Sequence, residues 1–174
     1  MKEQSIVTKW TLGIGIVLLI YGFLAKLIPV NFFWESNSIG WYFILFGLIG
    51  LLVQGIKKGR EEKKNTLLNK IGIGFICLVF LVLLISVIVM PNTDAYKVAK
   101  RFLRNNDEIK GEVGKVTGFG LFPTGGFSIQ EDSKGEYGEA NINLIVKGEK
   151  AYKIVSVVVF KDYDKEWEVI NLEY

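Results

Sequence analysis

IGIGFICLVFLVLLISVIVM, residues 71–90, is a run of twenty side chains without a charge, and Pro91 closes it. A helix rises about 1.5 Å per residue, so the run is about 30 Å long, the thickness of a bilayer's hydrocarbon core. It reads as a membrane span. Upstream of Pro91 the chain consists of apolar runs separated by short polar links, and downstream it has the amphipathic texture of a water-exposed domain. Charge divides at the same place: residues 1–90 hold nine Lys+Arg against four acids, and residues 91–174 hold twelve against fourteen. The small whole-chain charge of +3 therefore conceals two regions of different solvent. A membrane region over 1–91 and a folded domain over 92–174 are expected.

Working back from residue 71, a second span is expected over Ile39–Ile56, with Gln54 as its one strongly polar side chain, and a first over Trp10–Val30. Lys26 interrupts the first, and its ammonium must snorkel to an interface or face another helix. It is the candidate for pairing with a partner's intramembrane carboxylate. No cleavage site follows the N-terminal apolar run, so it is expected to be retained and not removed as a signal peptide. No G-x-x-x-G lies wholly inside a predicted span, although the span glycines permit close helix contact.

Orientation follows from the links. KKGREEKKNTLLNK, residues 57–70, carries six cations, and NFFWESNS, residues 31–38, carries none. The first is assigned to the cytoplasm, with the N-terminus, Lys2 and Lys9, and residues 92–174 are placed outside. Trp10, Trp34 and Trp41 fall at span edges, where indoles favour the headgroup zone. Lys57, Lys58, Arg60, Lys63 and Lys64 are candidate contacts for anionic lipid heads. The link is short and lacks interleaved aromatics, so nucleic acid is not expected as a partner.

Beyond Pro91, Asn92, Thr93 and Asp94 offer helix caps, and Ala95, Val98, Ala99, Phe102 and Leu103 recur with helical spacing. The helix should end near Asn105 and Asn106, with Lys97, Lys100, Arg101 and Arg104 on its other face. Short strands are expected over Lys115–Leu121 and Phe127–Glu131. In YGEANINLIVKG, residues 137–148, Ala140, Ile142, Leu144 and Val146 alternate with more polar neighbours, the pattern of a half-buried strand. Two more strands, 151–161 and 166–174, follow across turns. The expected fold class is α+β: a three-helix transmembrane anchor, then one helix packed on an antiparallel β-meander.

Chemistry is sparse. With 174 residues and no histidine, the chain lacks the usual general base and the commonest metal ligand. Cys77 is the single cysteine and lies mid-span, so no internal disulfide forms. Lys115 follows a glycine, but Val116 stands where a phosphate-binding loop needs Ser or Thr. Asp162, Asp164, Glu166 and Glu173 have the spacing of a calcium loop, yet Trp167 occupies the position of its required glycine. Glu131 with Asp132, and Glu136 with Glu139, are acidic pairs without an orienting partner. Neither an enzyme nor a cofactor is expected.

Ala95–Leu103, Asn106, Ile109, Gly114, the strand Gly138–Gly148, and Trp167 with Val169 and Leu172 together resemble the cytochrome oxidase complex assembly protein 1 family. The resemblance covers residues 94–174. It implies a small membrane-anchored domain without catalytic residues that binds newly inserted respiratory-chain subunits, although that family typically carries one anchor in place of three predicted spans. The expected function is a membrane-anchored protein-interaction module, an assembly factor for a respiratory or other membrane complex. Its partners would be membrane lipids and another membrane or secreted protein. The alternative is an extracytoplasmic sensor or an immunity-type inhibitor of a secreted protein.

Overall fold

The computed structural model describes residues 5–28, 30–133, 135–163 and 165–174. The order is three long helices, a short 3-10 turn, two short helices and five strands among these residues. The chain forms two units, dividing between Ile85 and Ser86. The division falls inside the third helix, because Met90 beyond it is buried in the core of the second unit.

In the first unit α1 spans Ile6–Leu27, α2 Ser36–Glu61, and α3 starts at Leu67 and continues to Val89. All three are long and apolar enough to cross a membrane, and α3, the most apolar, has no buried residue. A helix that presents large aliphatic side chains on every side is suited to hydrocarbon, not water. Their limits differ from the expected spans. α1 begins before Trp10 and ends before Val30: the residue ahead of a proline is pushed out of the helical region, and Ile28, before Pro29, has φ −106° and ψ 52°. Lys26 therefore lies in the last turn of α1, exposed, where a cation complements the helix C-terminus. α3 starts earlier than Ile71 because Asn65 caps it, its Oδ1 accepting from the Leu67 N–H at 2.8 Å.

α1 and α2 pack as an antiparallel hairpin through small residues. The side of α1 that is buried consists of Thr8, Gly15, Gly22 and Ala25, and that of α2 of Ser36, Gly40 and Gly47. A Cβ on Gly40 would stand 2.9 Å from the Gly15 carbonyl oxygen, and one on Gly22 would stand 2.7 Å from the Asn37 nitrogen. The two backbones touch, as membrane helices do when glycine permits it. At the other end the Gln54 amide donates to the Thr8 hydroxyl at 2.8 Å. α2 also meets α3, where Phe80 packs edge-on against Tyr42 and Phe46.

The second unit contains α4, Asp94–Asn105, and α5, Asp107–Val113, followed by β1 Val116–Phe119, β2 Thr124–Asp132, β3 Gly135–Gly148, β4 Tyr152–Lys161 and β5 Glu168–Glu173. Thr93 caps α4 and Asn106 caps α5. The sheet is antiparallel in the order β1-β3-β4-β5, with β2 pairing the other end of the same edge of β3 that β1 takes. The alternation in β3 has the expected consequence: Ala140, Ile142, Leu144 and Val146 are buried and face Val155, Val157 and Val159 of β4 across the register. Ala95, Tyr96, Ala99 and Leu103 of α4 and Ile109 and Val113 of α5 cover them. The meander thus carries two helices where one was expected. α5 has only seven residues, too few to display a helical period.

Candidate functional site

β4 and β5 continue the sheet on one side of β3, whereas β2 is paired on one side only among the described residues. Its other edge offers unpaired backbone N–H and C=O groups. Edge strands are usually blunted by an interior lysine or proline, and TGGFSIQED has neither. Gly125 is required inside it: φ is +137°, and a Cβ there would stand 1.9 Å from the Asn141 carbonyl oxygen.

The side-chain faces of β2 follow from its register. Phe127 lies opposite Ala140 and Ile129 opposite Gly138, so both point to the same face of the sheet as the core. α4 packs on β3, β4 and β5, leaving Phe127 48% and Ile129 46% exposed. They form the apolar wall of a groove of about 250 Å³. Trp167, from the segment between β4 and β5, closes its floor, with the indole Cη2 3.1 Å from the position of a Cβ on Gly138. The opposite wall is the entry to α4, Asn92–Ala95.

One end of the groove is charged. Lys161 is largely buried and donates to Glu136 at 2.9 Å. Glu131 lies directly opposite Glu136 in the register, and of these two facing carboxylates it is Glu136 that the ammonium pairs. Lys97 donates to Asp94 at 2.8 Å and holds that carboxyl below its usual range, with a smaller pull from Lys161. Asp94 is paired with Lys97 and Glu136 with Lys161, and the groove combines an apolar wall, an open backbone edge and a polar end. That combination suits an extended polypeptide.

The acidic pair Glu136 and Glu139 cannot act together, because residues three apart on β3 point to opposite faces. Asp164 of the calcium-like spacing lies outside the described residues, as does Lys2. Asp162 is engaged otherwise, accepting from Lys165 at 2.7 Å and from the Tyr163 N–H at 3.0 Å. Among the described residues no three acidic or thiol groups converge as metal ligands.

Of the residues expected to meet lipid heads, Lys57, Lys58 and Arg60 lie at the end of α2, and Lys63 and Lys64 lie just beyond. All five are exposed. Glu62 takes part of this charge, at 2.7 Å from Lys64 and 3.7 Å from Lys58. The link is shaped by a helix-ending motif in which the Lys64 N–H donates to the Gly59 carbonyl and the Lys63 N–H to that of Arg60. Lys26 belongs to α1 and is not gathered with them.

The groove was only partly legible in sequence. Phe127–Glu131 reads as a strand, but that its core-side residues stay uncovered depends on which strands α4 crosses. No protein-family model, curated protein or solved structure matches this chain.

Proposed function

We propose that this protein is a membrane-anchored, non-enzymatic protein-interaction module that holds a segment of another membrane protein during assembly of a respiratory or other membrane complex. The observation that carries this reading is the open edge of β2, with Phe127 and Ile129 exposed beside the groove floored by Trp167. A partner segment adding as a further strand would satisfy the edge through main-chain hydrogen bonds and place alternate apolar side chains against Phe127 and Ile129. The resemblance to the cytochrome oxidase complex assembly protein 1 family supports the same role, and a chain without histidine suits a holder of polypeptide better than a carrier of metal.

In this reading residues 57–70 face the cytoplasm and the C-terminal domain lies outside, as the cation count of the links favours. Affinity purification of the full chain in mild detergent tests the role. Recovery of subunits of a membrane complex with the wild type, and their loss with Phe127→Glu/Ile129→Glu, is the expected result. Recovery of a secreted toxin in their place would support an immunity-type inhibitor and overturn the assembly reading.

A further inference from the structure

The second unit carries a cluster of cations on α4, of which the groove engages only Lys97. Lys97, Lys100, Arg101 and Arg104 recur at helical spacing on one face of α4. Lys97 is committed to Asp94. Among the described residues no carboxylate lies within ion-pair distance of Lys100, Arg101 or Arg104. Instead, Lys100 Nζ sits 5.4 Å from the centre of the Tyr96 ring and 5.1 Å from that of Phe119, and the Arg104 guanidinium carbon 5.9 Å from the Phe119 ring. The aromatic faces hold two of these cations in place without neutralising them.

Like charges on adjacent turns repel, so an uncompensated face of this kind is stabilised by an external anion. Its position says which anion. The cations line a cleft of about 310 Å³, and Pro91, the residue at which the apolar run of α3 stops, forms part of that cleft's wall. The apolar helix containing α3 extends to Asn92. Only Thr93 separates it from α4, so the start of α4 is tethered within about 10 Å of the end of the span. That is comparable to a Debye length at physiological salt, the range over which a charged membrane surface is felt.

We propose that Lys100, Arg101 and Arg104 form a docking surface for the phosphate groups of anionic lipids in the bilayer that α3 enters, holding the C-terminal domain against the membrane. This contact is separate from the β2 edge and does not depend on the partner reading. It also differs from the link cations at 57–64, which belong to the other end of α3.

The test uses the full chain in nanodiscs. Cys77→Ser removes the native thiol, and Gly111→Cys, at an exposed site where an added Cβ meets nothing within 4 Å, carries a donor fluorophore. Acceptor-labelled headgroups report docking in phosphatidylcholine alone and with roughly 30% phosphatidylglycerol as the anionic component. Transfer should rise in the anionic discs and fall back at high salt. Each of K100Q, R101Q and R104Q should lower the docked-to-free ratio about fivefold, and the triple variant should abolish the lipid dependence. K57Q/K58Q/K63Q should leave it intact. Equal transfer in the two lipids, or a lipid dependence that survives K100Q/R101Q/R104Q, would overturn the proposal.

Discussion

Trp167 lies over Gly138: a Cβ built on that glycine would stand 3.1 Å from the indole Cη2 and 2.7 Å from the Ser128 carbonyl oxygen. The glycine thus sets both the floor of the groove and the approach of β2 to β3. Gly138→Val should push the indole aside or lift β2, at a cost of about 1–3 kcal/mol from overpacking. Denaturant unfolding followed by circular dichroism measures the loss, and the tryptophan emission should shift to the red as the ring is exposed. Gly118→Val meets open space and serves as the control, with unchanged emission.

The α1–α2 hairpin depends on absent side chains. Gly22→Leu would drive a side chain into the Asn37 backbone, 2.7 Å from the Cβ, whereas Gly13→Leu meets nothing within 4 Å. The first should lower the melting temperature in detergent and the second should not. Scanning fluorimetry of the two variants decides the matter.

Gln54 and Thr8 supply the polar tie in the same hairpin, at 2.8 Å. Interhelical hydrogen bonds in a membrane contribute about 0.6–2 kcal/mol. Gln54→Leu should weaken the hairpin by that amount, and a double-mutant cycle with Thr8→Val should recover most of it as coupling energy. Additive single effects would show that the bond contributes nothing.

Tyr174 donates its phenol to Glu108, and the Lys153 ammonium lies 4.2 Å from its ring centre, so the end of β5 is tied to α5. The hydrogen bond to Glu108 raises the phenol to about 12 from 10.0, with burial and the carboxylate charge adding to it. A folded-state value above the unfolded one gives stability that is fully present below pH 10 and lost as pH rises toward 12. Difference titration at the tyrosinate absorbance between wild type and Tyr174→Phe should reveal this late phenol. Glu108→Gln should bring it back toward its ordinary value.

How far these features could be read in advance depends on the range of the forces behind them. The alternation of Ala140, Ile142, Leu144 and Val146 is local, so β3 and its buried face were legible. The apolar runs were legible because a bilayer demands length and composition alone. Helix α5 escaped because Ile109 and Val113 are its only buried apolar residues, although Asn106 followed by Asp107 and Glu108 is a capping signal that marks its start. β2 is longer than its sequence suggests because Gly125 and Gly126 have poor strand propensity, and pairing with Ile142 and Asn141 supplies what propensity lacks. The groove was least legible, since Phe127, Lys161 and Trp167 meet only after three strands have paired.

A partner polypeptide lying along β2 would be captured by site-specific photocrosslinking in cells. A photoreactive phenylalanine analogue at position 127 or 129 should give an adduct with a membrane-inserted protein, and one at the exposed Ile154 of β4 should not. Equal labelling from all three positions, or no adduct from 127 and 129, would mean that no partner docks along β2.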